Sequence, residues 1–86
     1  MRKEQIMCSA EVSDSRVNYF ILEKELNECT GKYEWGIKIA MNNESESVSY
    51  FSDNYERVEE VIDILSRNKV TPISFFEVMD DIMAIL

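Results

Sequence analysis

The feature that most constrains this fold is a change in the spacing of apolar residues past the middle of the chain. From Tyr33 to Met41, apolar and polar side chains alternate, which is typical of a β-strand with one buried and one solvated face. After Asp53 the apolar residues recur three and four positions apart, which is the spacing of a helix. A chain that places its strands before its helices is typical of an α+β fold.

Two further segments flank the alternating strand and are also predicted to be strands. The first is rich in β-branched and aromatic residues, and the second alternates apolar residues with serines. Both connections between strands are too short for a parallel crossover, so the sequence predicts a three-stranded antiparallel meander. The predicted strands are residues 17–26, 33–41 and 46–51.

The N-terminal residues 1–16 have two interpretations, and residues 17–86 are predicted to form a single α+β domain. Residues 1–16 form either a flexible arm or a fourth strand at the sheet edge. The strand interpretation places four alternating residues on one face: Ile6, Cys8, Ala10 and Val12. Gly36 lies within a predicted strand, where a missing side chain indicates a bulge or a close approach of another element.

Two helices are predicted to cover one face of this sheet. Asp53 and Glu56 fit a capping box at the start of the first helix, which is expected to end near Asn68. Thr71 and Pro72 fit the start of the second helix. The predicted core residues are Tyr55, Val58, Val61, Ile62 and Leu65 in the first helix and Phe75, Val78, Met79, Ile82 and Leu86 in the second.

The composition argues against most enzyme classes. The 86 residues include no histidine, which excludes histidine-dependent nucleophile systems and HExxH zinc sites. Cys8 and Cys29 do not form a CxxC pair, and two thiolates cannot complete a structural zinc site. No apolar run reaches the length of a membrane span. We therefore expect a cytoplasmic, non-enzymatic protein with free thiols and without a cofactor, metal or membrane partner.

Negative charge is concentrated in the helical half of the chain. The net charge is -8; residues 1–43 carry seven acidic and six basic side chains, and residues 44–86 carry ten acidic and three basic ones. Helical spacing places the carboxylates of the first helix in one stripe, which is expected to contain no lysine or arginine. The acidic residues of the two helices are Glu56, Glu59, Glu60 and Asp63, and Glu77, Asp80 and Asp81.

Two interpretations of this acidic surface stay open. It either keeps the domain soluble or binds a basic surface on another protein. The scattered lysines and arginines argue against direct contact with nucleic acid, whereas a nucleic-acid-handling protein presents a suitable basic channel. A calcium site at Glu77, Asp80 and Asp81 is disfavoured because no EF-hand-like glycine spacing is present.

The second helix is apolar over more of its circumference than one sheet face covers. Phe76, Met83 and Ile85 widen its apolar stripe. This excess fits a homodimer or partner groove, and it equally fits a helix wedged between the sheet and the first helix.

Three segments resemble a family of short uncharacterised proteins from clostridia and related Firmicutes. The segments are residues 33–39, 48–52 and 70–81, in which a strand around Gly36 precedes a helix opened by Val-x-Pro and ending in acidic residues. Trp35 stands where that family is expected to have tyrosine. The resemblance implies a fold and a bacterial host range, and it implies no function.

Size and charge alone give a second, looser likeness. Small, acidic, histidine-free chains of this kind are similar to phage-encoded inhibitors such as anti-CRISPR proteins. The sequence therefore suggests an interaction module that binds a basic protein surface, with a structural or regulatory homo-oligomer as the alternative.

Overall fold

The computed structural model describes residues 2–27 and 32–85, in which four strands precede two helices. The α+β prediction is confirmed, and the N-terminal residues contribute the fourth strand. Residues 28–31, between the first two predicted strands, lie outside the described residues. The elements are β1 (Arg2–Val12), β2 (Ser15–Asn27), β3 (Lys32–Met41), β4 (Glu44–Ser52), α1 (Tyr55–Arg67) and α2 (Phe75–Ile85).

The four strands form one antiparallel meander in the order β1-β2-β3-β4. The β1–β2 connection consists of two residues, Ser13 and Asp14, with φ values of 50° and 66°. Positive φ at both positions is the requirement of the type I′ turn, whose twist matches that of antiparallel strands. This tight turn makes β1 an edge strand paired along its length with β2.

A bulge in β1 changes which side chains face the helices. Ile6 pairs with Phe20, whereas Cys8 pairs with Tyr19, so Met7 is an extra residue in β1. The alternation therefore shifts by one position. The prediction that Ile6 shares a face with the later apolar residues of β1 is wrong: Ile6 is 51% exposed on the opposite face.

Gly36 lies where the β3–β4 pairing becomes irregular. Trp35 pairs with Ser52 and Ile37 pairs with Val48, so residues 49–51 of β4 stand opposite Gly36 alone. Gly36 is buried. Of the two interpretations of Gly36, the bulge is present, and the extra residues belong to the partner strand.

One hydrophobic core lies between the sheet and the helices. α1 makes close contacts with all four strands, and the buried residues of α2 belong to the same cluster. Two of the predicted helical core residues differ from expectation, since Tyr55 is 38% exposed and Val78 is only partly buried; Leu86 lies outside the described residues. The buried cluster consists of Val17, Tyr19, Ile21, Ile37, Ile39, Val58, Val61, Ile62, Leu65, Val70, Phe75, Met79 and Ile82.

Asn54 caps the start of α1. Its Oδ1 accepts hydrogen bonds from the backbone N–H groups of Glu56 at 3.0 Å and Arg57 at 3.4 Å. The predicted capping box from Asp53 to Glu56 is therefore wrong by one residue. Asparagine and aspartate have similar capping preferences, so the neighbouring residue takes the role.

The end of α1 at Asn68 is confirmed, although Asn68 itself is not left-handed. Its φ is -92°, and Lys69 takes the left-handed conformation with φ of 53°. The Lys69 N–H donates to the Ser66 carbonyl, and the Val70 N–H donates to the Leu65 carbonyl, at 3.1 and 3.0 Å. This is the Schellman arrangement, and it satisfies two carbonyls of the last helical turn.

The second helix begins later than predicted. A tight turn occupies residues 72–74, and α2 begins at Phe75. Within the turn, the Ser74 N–H donates to the Thr71 carbonyl at 3.1 Å and the Phe75 N–H to the Pro72 carbonyl at 3.4 Å. These bonds span three residues, so the segment that was predicted as the first helical turn has a tighter winding.

A buried hydrogen bond connects the sheet to the segment between the helices. The Tyr19 hydroxyl donates to the Val70 carbonyl at 2.7 Å, and the Tyr19 side chain is fully buried. Burial raises the pKa of Tyr19 to about 12, and the nearby Cys8 thiol adds to the rise. The phenol therefore stays protonated and keeps its donor hydrogen across the neutral pH range.

Candidate functional site: two acidic helix faces and an aromatic cleft

The acidic stripe of α1 points away from the core, because the apolar stripe of the same helix is buried. Val58, Val61, Ile62 and Leu65 are each at most 2% exposed. The four predicted binding residues lie on the opposite side of the helix, and all four are exposed: Glu56, Glu59, Glu60 and Asp63.

The stripe ends in one ion pair that the sequence interpretation did not include. Arg67 lies four residues after Asp63, and its Nη2 atom is 3.0 Å from the Asp63 carboxylate. The expectation of a stripe without lysine or arginine is therefore wrong at its C-terminal end. Glu56, Glu59 and Glu60 lie further toward the N-terminus, where Arg57 is the one basic residue, so the net negative charge is concentrated in the first half of α1.

The acidic residues of α2 are also exposed. Phe75, Met79 and Ile82 face the core, which leaves the opposite side of the helix to solvent. No basic residue occupies the last turn of α2, where a positive charge would interact favourably with the helix dipole. The exposed acidic residues are Glu77, Asp80 and Asp81.

The predicted oligomer face on α2 is open to solvent at two of its three positions. Phe76 is 50% exposed and Met83 is 56% exposed. They are seven residues apart and therefore share one flank of the helix. The side chain of Ile85 lies outside the described residues. The interpretation of α2 as a wedged helix does not fit Phe76 and Met83, because such a helix would bury both.

An aromatic cleft at one end of the sheet was not predicted from the sequence. A cavity of about 400 Å³ is lined by Glu4, Gln5, Ile21, Glu23 and Tyr55. It lies between the β1–β2 edge of the sheet and the first residue of α1. The sequence interpretation treated the aromatic residues mainly as core.

Three aromatic rings form a continuous group beside this cleft. Tyr33 stacks on Trp35 with ring centroids 5.9 Å apart, and Trp35 meets Tyr55 edge-on at 5.6 Å. Glu23 is the cross-strand neighbour of Trp35 in the β2–β3 register. The alternation of Tyr33 and Trp35 on one strand face was the available sequence signal, but the contribution of Tyr55 depends on the helix position.

The described residues 2–27 and 32–85 contain no group of three His, Cys, Asp or Glu side chains arranged to hold a metal ion. Neither helix there has the length and apolar character required to cross a membrane.

Fold and surface together define a small acidic α+β protein, with a four-stranded meander covered on one face by two helices. The chain belongs to the family of unknown function DUF6514, whose model matches residues 2–85. No curated protein and no solved structure matches the chain.

Proposed function

We propose that this protein is a non-enzymatic interaction module that binds a basic surface of another protein through its acidic helices. In its most specific form it is a phage-type inhibitor that mimics nucleic acid, acts in the bacterial cytoplasm and occupies the basic channel of a nucleic-acid-handling protein. The observation that carries the proposal is the exposure of Glu56, Glu59 and Glu60 on the first half of α1.

The energetics of α1 support this assignment. Glu56 and Glu60 are four residues apart, as are Glu59 and Asp63, and each like-charged pair costs roughly 0.2–0.5 kcal/mol of helix stability. A positively charged partner would offset this cost on binding. Opposite potentials also accelerate association, and the acceleration decreases as salt screens the charges.

A protein partner fits the charge better than nucleic acid does. Phosphate binding requires clustered lysine and arginine, and the helical half of this chain carries ten acidic and three basic side chains. The same carboxylates are complementary to a channel that has evolved to hold phosphates.

The test is capture of host proteins on the tagged protein at low and high salt, with mass spectrometry of the retained proteins. A basic nucleic-acid-handling protein should be retained at low salt and released at high salt, because screening acts over about 8 Å at physiological ionic strength. Duplex DNA added to the complex should release the captured protein, because the DNA and the acidic helices compete for the same basic channel. Capture that is insensitive to both salt and DNA would contradict the mimic proposal.

The exposure of Phe76 and Met83 favours a second candidate, a structural or regulatory homo-oligomer that buries this flank of α2. Met83→Lys should then convert the oligomer to a monomer on a sizing column, with the circular dichroism spectrum unchanged. An oligomer that persists in Met83→Lys would exclude this face.

A further inference from the structure

The cleft between the β1–β2 edge and the start of α1 combines a cavity, a carboxylate and an aromatic ring in one place. Its volume of about 400 Å³ lies within the range of small-ligand pockets in proteins. Glu23 supplies a carboxylate on the helix-facing side of the sheet, and Tyr55 supplies an aromatic ring. The two groups come from β2 and α1, so tertiary structure assembles the site.

The two acidic residues at the cleft lie on opposite faces of the sheet. Glu4 is the cross-strand neighbour of Leu22 on the face away from the helices, and its carboxylate lies 3.0 Å from the Nζ atom of Lys38. Glu23 is partly buried and lies beside Trp35 in the β2–β3 register. A ligand cation in the cleft would therefore interact mainly with Glu23.

The aromatic group determines which cation fits best. Tyr55 contacts Trp35, which in turn stacks on Tyr33. A guanidinium group is planar, stacks on aromatic faces and donates two parallel hydrogen bonds to one carboxylate. An ammonium group is more strongly hydrated and lacks the planar fork.

From this geometry we propose that the cleft binds an arginine side chain of the partner protein. The partner assignment rests on the proposed function, and it names the chemistry by which the same partner is recognised. Tyr55 and Glu59 are one helical turn apart, so the cleft adjoins the N-terminal half of the acidic stripe. A basic segment can place one arginine in the cleft and further positive charge along α1.

The fluorescence of Trp35 provides a direct assay, because it is the single tryptophan of the chain. The protein is titrated with N-acetyl-arginine amide, with the lysine analogue and with the neutral citrulline analogue. A saturable change with arginine, a weaker one with lysine and none with citrulline are expected. An equal response to all three compounds would overturn the proposal.

Variants separate the cleft from the rest of the surface. Glu23→Gln should weaken arginine amide binding by at least about tenfold, since it removes a charge-assisted hydrogen bond. Tyr55→Phe should retain binding and Tyr55→Ala should lose it. Glu44→Gln is the control on β4 and should bind as the wild type does. Unchanged binding in Glu23→Gln would overturn the assignment.

Lys3 is the cross-strand neighbour of Glu23 in the β1–β2 register. Lys3→Met removes a positive charge from the strand position opposite Glu23, so this variant should bind arginine amide at least as tightly as the wild type does. Loss of binding in Lys3→Met would contradict a site centred on Glu23.

A last comparison distinguishes this proposal from the proposed function. The double variant Glu59→Lys/Glu60→Lys should bind arginine amide within about twofold of the wild type, because both residues lie outside the cleft lining. A tetra-arginine peptide should bind the wild type more tightly than arginine amide does, because its further positive charge lies along α1. The double variant should lose this extra affinity. If arginine amide binds but protein capture is insensitive to salt and DNA, the proposed function fails alone. If capture is sensitive to both and arginine amide does not bind, the cleft proposal fails alone.

Discussion

Replacing Tyr19 by phenylalanine removes one oxygen atom from the best-defined polar contact in the core. The hydroxyl donates to the Val70 carbonyl at 2.7 Å, and both residues are at most 4% exposed. The variant keeps the ring, so packing is nearly unchanged. The Val70 carbonyl loses a hydrogen-bond donor in a site that admits little water.

The expected cost follows from that loss. A buried polar group left without its partner costs about 1–3 kcal/mol, so Tyr19→Phe should reduce the free energy of unfolding at pH 7 by that amount. Urea denaturation followed by circular dichroism measures it. Tyr55→Phe is the matched control, and because Tyr55 is 38% exposed its change should stay within about 0.5 kcal/mol.

The pKa of Tyr19 gives the same variant a second, independent test. Its pKa is raised from 10.0 to about 12 in the folded protein, so the folded state holds the proton more tightly than the unfolded state does. The resulting stabilisation is complete below pH 10 and is lost as the pH rises through 12. Two pKa units correspond to about 3 kcal/mol.

The difference between wild type and Tyr19→Phe should therefore shrink between pH 10 and pH 12. All other groups are the same in the two proteins, so their effects cancel in the comparison. A difference that stays constant over this interval, or a cost below about 0.5 kcal/mol at pH 7, would refute the reasoning about this hydrogen bond.

Three further predictions concern stability. Phe75→Ala should lower the free energy of unfolding, measured by urea denaturation, by about 3–5 kcal/mol because Phe75 is fully buried. The adjacent Phe76 is 50% exposed, so Phe76→Ala should lower it by less than about 1 kcal/mol. Equal losses would contradict the burial pattern of α2. Asn54→Ala should cost about 1 kcal/mol by removing the cap of α1, and the same cost from Asp53→Ala would show that the cap is assigned to the wrong residue. Glu59→Lys/Glu60→Lys should raise the melting temperature slightly. Two repulsive i,i+4 pairs become attractive while the i,i+3 pair of Arg57 with residue 60 becomes repulsive, which leaves a net gain of roughly 0.5 kcal/mol. A lower melting temperature would contradict the cost assigned to the acidic stripe.

The sequence was sufficient to predict the order and type of the last three strands and the two helices, whereas it left residues 1–16 open between an arm and an edge strand. The alternation from Tyr33 to Met41 and the helical spacing after Asp53 are local patterns, and each dictates which face of its element is buried. The exposure of Glu56, Glu59 and Glu60 follows from the same argument, because the opposite side of α1 is apolar.

Features that depend on a single extra residue or on tertiary contact were not predictable in this way. The bulge at Met7 moves Ile6 to the other face, and the alternation of the later β1 residues looks the same with or without it. The exchange of Asp53 for Asn54 as the cap reflects two neighbours of similar propensity. The cleft required the position of Tyr55 relative to β1 and β2, which no local pattern contains.

The central claim is that the N-terminal half of the α1 stripe binds a basic protein surface. The most direct measurement compares the amount of host protein retained at low salt by three tagged proteins: wild type, Glu59→Lys/Glu60→Lys and the equally charge-reversed Glu44→Lys/Glu46→Lys. Glu44 and Glu46 are exposed on β4 and lie outside the acidic stripe of α1. The account predicts that wild type and the β4 variant retain the same basic protein and that the α1 variant does not. Equal retention by all three, or equal loss from both variants, would contradict a specific role for this face.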